Sequence, residues 1–482
     1  MGFAYDQVLY PGFPLAQTHP DRLATIAGLL GMTPARPDRS RVLELGCGDG
    51  GNLIPMALGL PESEFTGIDL SEQAAARGRA MSQALGLKNI SLRQMDLLEA
   101  GADLGEFDYI LVHGVYSWVP PHVREGLLGI CRANLAPDGV AYVSYNAYPG
   151  FHRREMFREV MLHHVRNVQD PAGRYQEAVQ LIARLAKCKP ESEVTRILFE
   201  EETQYLSETA PWLVYHDDLA DTNRAFYFHE FMADARRHQL QYLGEADFSE
   251  MQAETYPEAV VDALERFAGT DVVAKEQYLD FIKGRRFRQT LLCRDEVALD
   301  RSLGPERITE LYVASPAHPV SASPDLHEGV AELFRCPRGA ALETDCAAAK
   351  IALCRLREIW PRTIRVPELL RGGDAARLAE VLLQGYRVGL LELHTLPPQF
   401  AAVAGERPVA SPLARFQVQQ SPVVTTLRHT LVEVDDAIDR RLLTLLDGTL
   451  DHTTLVAVLG DESGEPIESR LRRLAKEALL VR

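Results

Sequence analysis

Short apolar runs and amphipathic stripes alternate along the first 150 residues. Val42-Leu43-Glu44-Leu45, Glu64-Phe65-Thr66-Gly67-Ile68-Asp69-Leu70, Ile90 to Gln94, Phe107 to Val112 and Gly139 to Tyr145 have strand length. Phe107-Asp108-Tyr109-Ile110-Leu111-Val112 shows the near-continuous apolarity of a parallel strand covered on both faces. Helical spacing fills the intervals. Leu23, Ile26, Ala27 and Leu30 follow an i, i+3, i+4, i+7 stripe, opened by Thr18-His19-Pro20-Asp21 and stopped by Gly31. The alternation predicts a doubly wound α/β sheet with its ligand at the strands' carboxyl ends.

The pattern continues beyond residue 150. Segment 151–215 is helical in spacing and is expected to cap the acceptor side. Phe228, Phe231, Met232 and Ala235 stripe a helix that leads into a sixth strand at Leu240-Gln241-Tyr242-Leu243, and Phe287 to Arg294 reads as a seventh. Ser315-Pro316-Ala317-His318-Pro319 reads as a turn-rich linker, and prolines 397, 398, 408 and 412 mark a second boundary. Near the end, Ile438, Leu442, Leu445 and Leu446 stripe one short helix. Ile467, Leu471, Leu474 and Ala478 stripe another that runs into Leu479-Leu480-Val481, as in a winged-helix module.

The turn after the first strand carries the chemistry. Gly46, Gly48 and Gly51 fit G-x-G-x-x-G, and Asp69 follows about 20 residues on, as in a dinucleotide site. A dinucleotide would lay its pyrophosphate against the helix start. Here Glu44 ends the strand and Asp49 sits in the turn, and two carboxylates repel a pyrophosphate. They suit S-adenosylmethionine, which carries a sulfonium and an ammonium. The turn is therefore read as an S-adenosylmethionine site, with a dinucleotide as the alternative. An acid ending a buried strand costs several kcal/mol unless a cation or donor meets it. Asp69 would accept from the ribose hydroxyls and Asp96 from the adenine amino group, with Leu70 and Leu97 as apolar neighbours. Cys47 packs within the glycine turn, and Asn52 closes it.

Composition narrows the partners. Of 482 residues, 46% are hydrophobic and 25% charged, a globular balance too long for one ordinary core. No apolar run is long enough to span a bilayer, and the N-terminus lacks a signal-peptide layout. Seven cysteines without a C-x-x-C pair indicate neither a disulfide frame nor a zinc site, so no metal is expected. These features suggest a cytoplasmic protein. The net charge of −17 runs against nucleic-acid binding, and the basic runs at 283–288 and 470–473 read as solvated faces. An acidic surface suits a lysine-bearing protein or a cationic small molecule.

Glu44 to Gly50, Asp69, Asp96 and the fourth-strand segment resemble the class I S-adenosylmethionine-dependent methyltransferases in order and spacing. Three further stretches are more distinctive: Tyr10 to Ala24, Gln241 to Ala246 and Phe287 to Cys293. With them the chain resembles bacterial methyltransferases carrying a methyltransferase regulatory domain, a group that includes rickettsial-type lysine methyltransferases acting on outer-membrane proteins. The resemblance covers residues 1 to 300 well and the rest loosely. It implies a Rossmann-like seven-stranded sheet with a helical insertion, followed by mostly helical C-terminal domains including the winged-helix-like module. The expected division is a cofactor core with N-terminal flap at 1–150, a helical cap at 151–220, the end of the sheet with a regulatory segment at 221–300, a mostly helical middle domain at 301–410 and the winged-helix-like domain at 411–482. It also implies that Tyr10, Gln17 and His19 belong to a flap over the cofactor; simple packing of a terminal segment is the alternative.

Methyl transfer from a sulfonium is an in-line displacement, so the acceptor must be positioned opposite the sulfur. Tyr116 and Trp118 after the fourth strand, with Tyr145 and Tyr148 after the fifth, are candidates for an aromatic wall facing an amine. They equally fit roles in covering the sheet or bracing a turn. His113 is either a general base or a hydrogen-bond partner of cofactor or backbone. The sequence thus predicts an N-methyltransferase, with protein lysine as a candidate acceptor. A small-molecule O- or N-methyltransferase and a cofactor-binding scaffold whose C-terminal modules recruit partners are the alternatives. The C-terminal module is assigned to protein contact or homodimer formation.

Overall fold

The computed structural model describes residues 8–188, 190, 193–253, 256–370, 375–459 and 465–481. Tyr5, at the start of the expected flap, lies outside the described residues. Five strands arise in the first third of the chain: β1 (Arg41–Leu45), β2 (Glu64–Asp69), β3 (Ile90–Gln94), β4 (Phe107–Val112) and β5 (Leu135–Asn146). Helices α1 (Pro20–Leu29), α2 (Leu53–Gly59), α3 (Glu72–Ala84) and α4 (Pro121–Asn134) precede or join them. After the helical insertion, β6 (Leu240–Glu245) and β7 (Phe287–Arg294) complete one sheet in the order β3-β2-β1-β4-β5-β7-β6. Strands β1 to β5 pair parallel, and β7 runs antiparallel to both of its neighbours. The chain direction across the sheet reverses between β1 and β4, so the ligand crevice expected at such a switch point lies where these two strands end.

Buried side chains cover both faces of the sheet. Leu23, Ile26 and Ala27 of α1 pack with Val42, Tyr109 and Tyr142 on one face, while Leu127 and Leu128 of α4 meet Leu43, Ile110 and Val143 on the other. This explains the unbroken apolarity of β4. α1 starts as its sequence predicts: His19 is extended, its Nδ1 accepts the Asp21 N–H at 3.2 Å, and Pro20 fills the first helical position.

The insertion consists of α5 (Phe151–Val165), α6 (Pro171–Lys187) and α7 (Val194–Glu208), with a core of its own around Phe157, Met161, Ala178, Ile182 and Leu206. It is tied to a single π-helical turn at Val214–Asp218 through Arg154, whose Nε donates to Asp218 at 2.6 Å. The next helix, α8 (Phe228–Arg237), leads into β6. Helix α9 (Glu258–Ala268) and helix α10 (Val272–Lys283) then lie between β6 and β7.

Residues 315–319 are not a linker. Ser315 and Ala317 are fully buried, and Ser315 Oγ donates to the Leu390 carbonyl at 2.8 Å. They connect the strand Tyr312–Ala314, central in a small three-stranded sheet, to the strand His318–Pro319 of a second one. Proline and serine signal turns equally well between packed short strands and between domains. The C-terminal module comprises a hairpin, Val423–Thr425 with Leu431–Glu433, and helices Ala437–Leu445, His452–Leu459 and Ile467–Lys476 around Leu442, Leu455, Leu471 and Leu474. No helix among the described residues is long and apolar enough to cross a membrane.

Candidate active site

The turn after β1 is shaped by its glycines. Gly46, Gly48 and Gly50 have φ values of 78°, 54° and 75°, the left-handed region that side chains other than glycine enter at a cost. The turn is also tightly approached. A Cβ on Gly12 would overlap the Asp49 carboxylate and come within 2.8 Å of the Gly51 nitrogen. The N-terminal segment therefore lies directly on the turn.

Two acids at strand ends are held differently. Asp69 Oδ2 accepts the Gly48 N–H and its Oδ1 the Ser71 N–H, each at 2.8 Å, which pins the carboxylate beside the turn. Glu44 is 4% exposed; its Oε1 accepts the Asn52 amide at 2.8 Å, and its Oε2 has no partner. Burial pushes the Glu44 carboxyl up to about 8, the Asn52 bond partly opposes this, and the charges of Asp69 and Asp49 add to it. Burial raises Asp49 too, against hydrogen bonds from the Gly51 and Gly12 backbone. An orphaned, buried carboxylate oxygen within an acidic turn fits a cationic guest and is unfavourable toward a diphosphate.

On the opposite side of the crevice, His113 follows β4. Its Nδ1 lies 2.9 Å from the Tyr142 hydroxyl and 3.3 Å from Ser144 Oγ, and burial lowers the imidazole to about 4. A neutral ring in a fixed pose serves as a hydrogen-bonding wall; at neutral pH it is too weak a base to draw a proton from an ammonium.

Models of known families match in three places: a methyltransferase domain at residues 42–139, a predicted methyltransferase regulatory domain at 210–294 and a PKMT C-terminal winged helix domain at 406–465. An uncharacterized protein of Rickettsia prowazekii is 32% identical over 97% of this chain and 87% of its own. The chain belongs to the class I S-adenosylmethionine-dependent methyltransferases that carry a regulatory domain. The structure of PKMT2 from Rickettsia typhi superposes with a TM-score of 0.85 at 26% identity, covering 98% of this chain and all of that one. PKMT2 in complex with AdoHcy, the demethylated product, superposes at 0.86.

With S-adenosylmethionine as the cofactor, the acidity of the turn is accounted for and the dinucleotide alternative falls. The residues present fit the group: Glu44 and the glycine turn would hold the cationic methionyl end and Asp69 the ribose. Asp96 is half-buried and accepts the Leu98 N–H at 3.0 Å as cap of a short 3-10 turn starting at Leu97. Leu70 is 46% exposed, and Cys47 packs behind the turn, where a Cβ on Gly67 would meet its Sγ at 2.6 Å. The regulatory segment is no separate body in this methyltransferase. It spans the π turn, α8, both β6 and β7, and so contributes two of the seven strands.

The structure distributes the remaining candidates. Tyr116 and Tyr145 are fully buried against Phe226 and Phe231, with Tyr145 stacked on Phe231 at 4.2 Å. They support the loops after β4 and β5 from beneath and do not form an acceptor wall. The reason is strand alternation, which turns Tyr145 to the face opposite Tyr142 and Ser144. Trp118 is half-buried, with its indole N–H buried and unpartnered. Tyr148 stacks on His152 at 4.1 Å, lies 5.2 Å from Tyr227 and donates to Glu155 at 2.9 Å. Tyr10 sits edge-on to Trp212 at 4.8 Å and to His216 at 5.5 Å, linking the flap to the π turn.

Sequence reasoning missed several neighbours of the site. Tyr142 and Ser144 share a face of β5 with Asn146, a signal that period-two alternation offered. Asn146 Nδ2 donates to Asn223 at 2.7 Å, and Asn223 Nδ2 to the Asp217 carbonyl at 2.7 Å, joining β5 to the π turn. Asp217 itself is pushed up to about 7, by burial first and by Asp218 next.

Proposed function

We propose that this methyltransferase modifies an amine nitrogen, a lysine side chain presented by a protein. The observation that carries this reading is the cluster formed just past the end of β5. Tyr148, His152 and Tyr227 gather half-exposed ring faces around the Glu155 carboxylate, and residues 223–227 run alongside β5 to place Tyr227 there, with Tyr148 N–H bonded to the Phe226 carbonyl at 3.0 Å. Ring faces beside a carboxylate favour an ammonium on approach and methylammonium groups afterwards, each ring contributing about 0.5–2 kcal/mol. The net charge of −17 favours basic acceptor segments, and the full-length likeness to PKMT2 supports a protein acceptor.

Bound S-adenosylmethionine supplies a methyl on a sulfonium; a nitrogen–carbon bond forms as the carbon–sulfur bond breaks. The chain positions the acceptor. Its ammonium must first lose a proton, which a water-poor pocket promotes by disfavouring charge. Neutral His113 adds no competing charge, and Tyr148 and Tyr227 supply the ring faces of the approach. On this reading the cofactor is bound by Glu44, Gly46, Gly48, Asn52, Asp69 and Asp96, in the cytoplasm where it is made.

The test is incubation with methyl-labelled S-adenosylmethionine and a host lysate, followed by mass spectrometry. Label on protein lysines is expected. Label confined to the metabolite fraction would replace this reading with a small-molecule methyltransferase, and cofactor binding without any transfer would leave a scaffold.

A further inference from the structure

Asn52 is the node of the cofactor pocket, and one of its four hydrogen bonds comes from the far end of the chain. Its amide donates to Glu44 Oε1 at 2.8 Å and to Thr18 Oγ at 3.0 Å. Thr18 in turn donates to the Leu15 carbonyl at 2.8 Å. Asn52 Oδ1 accepts the Leu15 N–H at 3.0 Å and His429 Nε2–H at 2.8 Å. Two donors and two acceptors are thereby used in full. His429 lies 377 positions from Asn52, at the tip of the C-terminal hairpin.

The tip is built for this contact. His429 adopts φ 58°, a left-handed conformation uncommon outside glycine that surrounding structure must enforce. Its N–H bonds to Thr426 O at 3.1 Å, and the Thr426 and Thr430 hydroxyls close the loop at 2.8 Å. The imidazole is 5% exposed and lies edge-on to His19 of the flap, with centroids 5.4 Å apart. Neighbouring Arg428 grips the middle of the chain, with its guanidinium 3.9 Å above the Trp360 ring and 2.6 Å from Glu392. Asn52 Oδ1 can only accept, so the hydrogen of this contact sits on His429 Nε2, and burial disfavours charge on the ring.

We propose that His429 is a positioning residue of the cofactor site: by orienting Asn52, and through it Glu44, it couples S-adenosylmethionine binding to docking of the C-terminal hairpin. Glu44 Oε2, the unpartnered buried oxygen, faces its guest correctly only while Oε1 is held by Asn52, and Asn52 is held from one side by the flap and from the other by His429. Linkage is reciprocal, so bound cofactor must tighten the hairpin as much as the hairpin tightens the cofactor. The inference rests on the cofactor and is independent of which acceptor is used.

The test uses the full-length protein. His429→Ala is expected to weaken AdoHcy binding about ten-fold in calorimetry and to raise KM for S-adenosylmethionine by a similar factor with a smaller change in kcat. His429→Gln, which retains an N–H donor, should recover most of the affinity, and Glu433→Gln on the same hairpin should bind as the parent does. Saturating AdoHcy should slow amide exchange at residues 426–430. Should His429→Ala fail to fold, His429→Gln and exchange on the unaltered protein decide. Parent-like AdoHcy affinity in a folded His429→Ala protein, or hairpin exchange indifferent to AdoHcy, would overturn the proposal.

Discussion

Asp21 and His394 stand 373 positions apart in the chain and 2.7 Å apart in space. Asp21 opens α1, just ahead of the cofactor core, and its other oxygen accepts from the Thr395 N–H at 2.7 Å and the Leu396 N–H at 3.2 Å. Burial opposes charge on His394, yet bonds and charges from Asp21 and Glu392 raise it to about 9, while Glu392 is drawn down to about 2 despite its own burial. The catalytic sheet and the middle of the chain are thus clamped by an imidazolium between two carboxylates.

This clamp carries a pH signature. A histidine raised from 6.5 to about 9 adds stability that is fully present below pH 6.5 and is lost as pH rises through 9. At 1.36 kcal/mol per unit the contribution is roughly 3 kcal/mol. Denaturant titrations at pH 6 and 10 should show the parent losing about that much more than His394→Gln. Equal losses would mean that the imidazole is not charged in the fold.

Glu44 shifts stability in the same direction, over a lower pH range, but as a cost of burial and not as a gain from pairing. Its carboxyl is raised from 4.5 to about 8, so the folded free protein holds a proton that the unfolded chain has released, and this group makes stability fall as pH rises from 4.5 to 8. A cationic cofactor needs the carboxylate, so binding near pH 7 should release close to one proton. Calorimetry in buffers of different ionisation enthalpy measures this directly. Glu44→Gln should raise the melting temperature of the free protein and weaken S-adenosylmethionine by about 30-fold or more, the scale of removing one partner from a buried charged pair. Unchanged affinity in that variant would remove Glu44 from the site.

Tyr148 and Tyr227 test the acceptor side separately. Replacing both by alanine is expected to lower kcat/KM for a protein acceptor about ten-fold or more, with AdoHcy affinity within a factor of two of the parent. A matching loss of cofactor affinity would place the pair in general support of the fold.

Arg288 tests the regulatory strands. It is fully buried, with Nη1 2.6 Å from Glu245, Nε 2.9 Å from Asp280 and Nη2 3.1 Å from Glu276, beneath the ring of Phe228. Glu245 also accepts from Thr290 at 3.0 Å, and Thr290 meets the Tyr145 hydroxyl at 3.1 Å. Arg288→Ala would leave Glu245, Glu276 and Asp280 with Arg285, 3.1 Å from Asp280, as their remaining guanidinium and should cost about 3–5 kcal/mol in equilibrium unfolding. A loss below about 1 kcal/mol would show that water replaces the guanidinium.

Local features of the site were legible in the sequence, and distant ones were not. Glu44, Gly46, Gly48 and Asp69 announce themselves because each sits at the end of an apolar strand, where a buried acid or repeated glycine needs a reason. The first five strands were legible too, from apolar runs alternating with helical stripes. Tyr116 and Tyr145 misled because an aromatic near a strand end carries no mark of which face it takes until register is known; Tyr142, three positions before Tyr145, faces His113 instead. His394 and His429 had no local mark at all. One ends a short strand and the other tips a hairpin of three-residue strands, and only the closing of chain segments more than 370 residues apart gives them partners. The fold depends on pairs that a window of twenty residues cannot contain.

The backbone at Gly12 rests on the Asp49–Gly51 turn, too close to admit even a methyl group. Opening of that strap is therefore expected to accompany departure of spent product, and the same stretch is fastened upstream at Tyr10, whose ring lies edge-on to Trp212 just before the π turn. Where release waits on that unbuckling, its speed sets a ceiling on the enzyme's pace however fast the methyl itself moves.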